Sequence, residues 1–223
     1  MRSDPKPIEG VIWDVDGTLT NSLALCVSGL RSAIEAVGGP RMTEQEVIAT
    51  FGPTEEGILR TIVGDRWEDA IEIYLGLYEE GHASDGLVFE DVVAQVHRLA
   101  EAGVRQGVVT GKGARSAEIS LRYAGLDAVF DRVVPGSMKG SIKRDAISSI
   151  MADWDLPSGT VAYVGDHASD VRQARAAGAV PLSAAWDAAA DLEALLESEP
   201  RALLRTPAEL HVWLGANVAG LDE

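Results

Sequence analysis

Residues 8–20 read IEGVIWDVDGTLT. Its first half, residues 8–15, is a short apolar run rich in β-branched and aromatic residues, the pattern of a strand buried on both faces. Its second half, Asp14-Val15-Asp16-Gly17-Thr18-Leu19-Thr20, sets two aspartates two positions apart as the strand ends. That spacing lets both carboxylates point into one site. Gly17 lets the backbone turn sharply there and approach an anion closely.

Further short apolar runs at residues 107–110, 130–135, 160–165, 180–182 and 202–204 read as strands. Helical patterns separate them. Val92, Val96 and Leu99 share one face, closed by Gly103; Val171, Ala174 and Ala177 share another, closed by Gly178. This alternation predicts an α/β fold: a doubly wound parallel sheet covered on both faces. The alanine-rich residues 184–196 read as a surface helix. One stretch breaks the alternation. Residues 31–37, 44–50, 55–63 and 68–78 all read as helix, with breaks at Gly38-Gly39-Pro40, Gly52-Pro53, Gly64 and Gly81. The expected domains are therefore an α/β core from residues 1–20 and 90–223, and an inserted helical cap over residues 21–89.

The chain has 223 residues, with 35 acidic and 19 basic, so its net charge is −16. Such a chain is repelled by a phosphate backbone or an anionic membrane, which argues against nucleic acid and membrane partners. The apolar fraction of 46% and charged fraction of 24% suit a soluble globular protein. Cys26 is the only cysteine, so no internal disulfide forms. Residues 1–10 lack the apolar stretch of a signal peptide, and no run is long enough to span a bilayer. The expected location is cytoplasmic.

Ligands of open parallel sheets bind at the carboxyl ends of the strands. Asp14 and Asp16 stand there, then Thr110-Gly111-Lys112-Gly113, then Lys139 and Lys143, then Asp166-His167-Ala168-Ser169-Asp170. Clustered carboxylates repel one another, and a hard cation such as Mg²⁺ relieves that. Thr110 and the Gly111 amide, just before a helix N-terminus, suit a phosphate. A lysine adds a point charge for phosphate oxygens. Together these groups fit phosphoryl transfer through an aspartyl-phosphate.

The sequence resembles the haloacid dehalogenase superfamily of phosphohydrolases. VIWDVDGTLTNS is similar to its first motif, VVTGK to its second, Lys143 in SIKRDAISSIM to its third and VGDHASD to its fourth. The resemblance covers nearly the whole chain, the helical insert included. It implies that Asp14 is the nucleophile and that Asp16 is the acid for the leaving alcohol, then the base for water. It implies that Thr110, Gly111 and Lys143 hold the phosphate. Mg²⁺ would lie on Asp14, Asp166, Asp170 and the main-chain carbonyl of Asp16. FGPTEEGIL, AEAGVRQGVVTGK and ALLRTPAELHVWL look like the phosphoglycolate-phosphatase-like group. Asn21, Gly111 and Arg144 depart from that group's usual residues, and none removes a catalytic group.

The implied activity is hydrolysis of a small phosphorylated metabolite. A phosphomutase on the same scaffold and a non-catalytic phospho-binding module are the alternatives. Phosphonate hydrolysis would need a cap lysine, and none lies between Asn21 and Gly111. GVVTGKG does not have P-loop spacing. Outside the motifs the simplest readings are structural. Cys26 is a buried thiol, Lys112 a solvated helix-start residue, and Thr54, Glu55 and Arg60 a solvated helix face. His167 is a loop residue, His82, His97 and His211 are surface or packing residues, and the five tryptophans pack.

Overall fold

The computed structural model describes residues 6–84 and 86–221. Six strands form one sheet: β1 (Gly10–Trp13), β2 (Arg105–Val109), β3 (Arg132–Val134), β4 (Val161–Gly165), β5 (Val180–Ala184) and β6 (Ala202–Leu204). Every pairing is parallel, and the order is β3-β2-β1-β4-β5-β6. The order reverses at β1 and β4, where crossovers leave toward opposite faces and open a crevice at the strand ends. The α/β doubly wound sheet expected from the sequence is thus present.

Helices α1 (Leu23–Ala36), α2 (Glu44–Ile48), α3 (Glu55–Val63) and α4 (Trp67–His82) follow β1. The remaining helices are α5 (Glu90–Glu101), α6 (Ala114–Tyr123), α7 (Lys143–Asp153), α8 (Ala168–Ala177), α9 (Leu192–Glu197) and α10 (Pro207–Asn217).

Side chains of β1 alternate between the two faces of the sheet. Val11 and Trp13 join Val96, Leu99 and Leu214 beneath α5 and α10, whereas Ile12 joins Ile147, Ile150 and Tyr163 beneath α7. The Trp13 indole donates to Gln106 Oε1 (3.1 Å), and the Gln106 amide donates to the Val96 carbonyl (2.8 Å). No polar group of that pair is left unpaired in the core.

A third apolar cluster lies among the helices between β1 and α5. Leu30, Ile34, Leu59, Tyr74 and Tyr78 meet there, and Ile119 of α6 enters from the sheet side. The Tyr78 hydroxyl bonds Ser120 of α6 (2.8 Å). Arg115–Glu72 and Arg122–Glu79 link α6 to α4 at the surface. Such exposed pairs contribute little, so the buried contacts dominate the docking. The chain enters and leaves this helical segment through adjacent strands of backbone: Asn21 N donates to Leu87 O (2.6 Å) and Phe89 N to Leu19 O (3.1 Å).

Residues 184–196 do not form one helix. Ser183 and Ala184 pair with β6 as the end of β5, and only Leu192–Glu197 is helical. The Asp187 carboxylate accepts from Ala189 N (2.8 Å), which turns the chain, and Asp191 caps the short helix. Sheet pairing and two aspartate caps override the helix propensity of alanine. Helix α1 begins at Leu23, earlier than the pattern at residues 31–37 suggested.

Candidate active site

The end of β1 delivers Asp14 and Asp16 to opposite sides of one crevice. Between them the backbone folds back: Leu19 N and Thr20 N both donate to the Val15 carbonyl (2.8 and 3.0 Å). Gly17 sits at φ 68°, and a Cβ there would overlap the Asp166 carboxylate. Gly165, the last residue of β4, has no side chain to displace the Asp170 carboxylate above it. Two glycines thus clear room for two carboxylates.

Asp14, Asp166 and Asp170 form a cluster whose oxygens lie within 4.8 Å of one another. Lys143, the first residue of α7, reaches in from the side. Its ammonium donates to Asp14 Oδ2 and to Asp170 Oδ1, the latter at 2.6 Å. Asp170 Oδ2 accepts from His167 N (3.1 Å), and the His167 ring accepts from Ser169 N (3.2 Å), so the pair caps α8. Lys139 is solvent-exposed.

Burial pushes the Asp14 carboxyl up to about 6; the Asp170 charge adds to this and Lys143 opposes it. Burial, then the charges of Asp170 and Asp14, also holds Asp166 well above the usual carboxylate range. Acidic groups crowded past the capacity of one lysine are short of positive charge. Three carboxylates, all-oxygen donors and glycine-cleared space fit a hard divalent cation.

Asp16 faces the other way. Lys112 Nζ donates to its Oδ1 and Oδ2 (3.3 and 3.2 Å), and Ser22 Oγ donates to Oδ1 (2.5 Å). Burial works to raise this carboxyl, but the Lys112 charge and these hydrogen bonds outweigh it and hold it below the usual range. Its side chain therefore stands apart from the Asp14 cluster.

Lys112 is not solvated: it is 3% exposed and central to a buried network. Its ammonium also lies 3.4 Å from Glu55 Oε1, 3.2 Å from Cys26 Sγ and 4.2 Å from the centre of the Tyr78 ring. Glu55 is likewise buried rather than on a solvated face, as is Thr54, while Arg60 is exposed. Glu55 accepts from Gly113 N (2.7 Å), Ser116 Oγ (2.8 Å) and Tyr74 Oη (3.2 Å). The carboxylate of Glu55 thus occupies the N-terminus of α6 at Gly113 N, two residues past Gly111. Thr110, buried, and the exposed Gly111 remain at the crevice. Cys26 is buried, and burial pushes its thiol up to about 12, which suits a structural role.

Two predictions arise here. Lys112→Met would leave the buried Glu55 and the part-buried Asp16 without their cation. Breaking such a pair costs about 3–5 kcal/mol, read as a lowered midpoint in denaturant unfolding. Gly17→Ala would place a Cβ in left-handed backbone and push Asp166 aside. It is expected to cost about 1–3 kcal/mol, read as a lowered midpoint in denaturant unfolding.

Residues 11–182 match the family model described as haloacid dehalogenase-like hydrolase. The chain belongs to the haloacid dehalogenase-like hydrolase family. Pyrophosphatase PpaX of Bacillus pumilus is 25% identical over 212 residues, covering 94% of this chain and 98% of that protein. Tyrosine-protein kinase PtkA of Mycobacterium tuberculosis is 30% identical over 179 residues, 79% of this chain and 62% of that protein. The crystal structure of a predicted phosphoglycolate phosphatase from Haemophilus somnus superposes with a TM-score of 0.74 at 19% identity, covering 91% and 96% of the two chains. Members of the haloacid dehalogenase-like family are hydrolases, and this chain is an enzyme of that kind. Among the described residues no helix is long and apolar enough to cross a membrane.

Proposed function

We propose that the chain is a Mg²⁺-dependent phosphomonoesterase that acts on a small phosphorylated metabolite through a phosphoryl group carried on Asp14. The observation that carries this reading is the division of labour at the end of β1. Asp14 lies in the acidic cluster with Lys143, and Asp16, two residues on, lies in a separate network with Lys112 and Ser22. This division supports one carboxylate as the nucleophile and the other as the group that moves a proton.

The proposed reaction has two halves. An Asp14 oxygen attacks phosphorus while the bond from phosphorus to the ester oxygen breaks. Asp16 gives its proton to the departing alkoxide. Asp16, now a carboxylate, takes a proton from water, which attacks phosphorus and releases Asp14 and inorganic phosphate. A phosphate dianion beside Asp16 favours its protonated form for the first half; Lys112 and Ser22 favour the carboxylate for the second. Lys143 holds the Asp14 carboxylate in place and offers charge to a phosphate oxygen, and Thr110 with Gly111 seats the others. Mg²⁺ on Asp14, Asp166, Asp170 and the Asp16 carbonyl would supply positive charge that keeps Asp14 ionised and neutralises the transferring phosphoryl group. The helices α1–α4 would serve as a cap over residues 21–89, excluding bulk water from the phosphorylated enzyme.

Phosphate release from a panel of small phosphomonoesters tests the reading. Release is expected with Mg²⁺, and EDTA is expected to abolish it. Full activity in EDTA, or no release from any ester with Mg²⁺ present, would overturn it.

A further inference from the structure

The carboxylates and the inner face of the helical segment line one cavity of about 400 Å³, far more than a phosphate group fills. We infer that this space takes a neutral, largely apolar alcohol: the substrate is the monophosphate of a hydrophobic alcohol, not one with a carboxylate or a second phosphate. The inference rests on the phosphatase reading above and names its substrate class.

The far wall is built by the helical segment. Leu23 and Leu30 of α1, Ile48 of α2, Phe51 and Pro53 of the next loop, and Ile58 of α3 line it. Ile48 and Phe51 stand 47% and 40% exposed, two large apolar side chains open to solvent in one cavity. An apolar ligand would take them out of water; a charged one would be desolvated against them without a partner.

The cations do not favour a second anion. Both lysines lining the cavity are committed, Lys143 to Asp14 and Asp170 and Lys112 to Asp16 and Glu55. Among the described residues, none of the helical segment's arginines lines the cavity. Arg31 donates to Met42 O and pairs with Glu44, and Arg66 donates to Val37 O. Arg60 follows Ile58 by two positions on α3, which turns it about 200° around the helix from the cavity-lining face. His167 and Ser169 stand on the sheet side and bond each other (2.8 Å). Five carboxylates line the same space: Asp14, Asp16, Glu55, Asp166 and Asp170. With Lys143 and the proposed Mg²⁺ balancing the Asp14 cluster and Lys112 shared by Asp16 and Glu55, a second anionic group would find no spare cation and none on the cap wall.

The test compares kcat/KM with Mg²⁺ for n-hexyl phosphate, 2-phosphoglycolate and pyrophosphate, with p-nitrophenyl phosphate as a check on the hydrolytic chemistry itself. Hexyl phosphate is expected to exceed both anionic substrates at least tenfold, about 1.4 kcal/mol. Ile48→Lys, which puts a cation on the wall, is expected to narrow the ratio of hexyl phosphate to phosphoglycolate about tenfold, the same 1.4 kcal/mol. A wild-type preference for phosphoglycolate or pyrophosphate would overturn the inference and leave the phosphatase reading standing. Should no ester release phosphate, the phosphatase reading falls, and calorimetry with non-hydrolysable hexylphosphonate and phosphonoacetate decides the character of the cavity. Tighter binding of hexylphosphonate would support the apolar wall; equal or weaker binding would overturn it.

Discussion

Replacing Asp14 by asparagine is expected to lower kcat by about 10⁴-fold or more, the scale seen when a covalent nucleophile is removed. The amide has the size of the carboxylate but no anionic oxygen to attack phosphorus. The fold is expected to survive. Burial and the neighbouring Asp170 push Asp14 up to about 6, against an ordinary carboxylate near 4, so near neutral pH its charge costs folding energy in the metal-free protein. The sign follows: the native state holds this proton more tightly than the unfolded chain, so stability is lost as pH rises through about 6. Removing the charge removes that loss. Metal-free Asp14→Asn should therefore unfold at or above the wild-type temperature at pH 7, while showing no phosphate release. An inactive variant with a lowered midpoint would point to misfolding instead.

Asp16→Asn carries the second large effect. A positioned acid or base contributes about 10²–10⁴-fold, and in the proposed reaction one group serves both halves. The loss in kcat/KM is expected to be largest for alkyl esters, whose alkoxides leave poorly without a proton. It should be smallest for p-nitrophenyl phosphate, whose leaving group needs little help. That dependence on the leaving group separates a proton-transfer role from a merely structural one. In the second half the variant has no base for water, so the enzyme phosphorylated on Asp14 should accumulate.

Much of this was readable from residue order because the chemistry sits at strand ends. Periodicity located the strands through residues such as Val11, Trp13 and Ile12, and the doubly wound order then placed β1 beside β4. Asp14 and Asp166 follow those two strands, so their meeting is a consequence of sheet topology. Lys143 reaches the same point because α7 begins there, whereas Lys139, four residues earlier, stays in solvent.

The Lys112 network was not readable in this way. Glu55 and Gly113 are far apart in sequence, and only the docking of α3 on α6 brings that carboxylate to the helix N-terminus. A glutamate opening an amphipathic helix resembles any solvated first-turn residue. Lys112 carried one signal: it directly follows Thr110-Gly111 on the sheet's active rim. The missed end of β5 has a similar cause, since Ala184 pairs with β6 through a contact no local pattern records.

The most direct measurement is an acid quench of Asp16→Asn during reaction with p-nitrophenyl phosphate and Mg²⁺, followed by peptide mass spectrometry. A phosphoryl adduct on Asp14, formed with a matching burst of p-nitrophenol, is the expected result. A burst without an adduct, or an adduct on another residue, would contradict a reaction carried by Asp14.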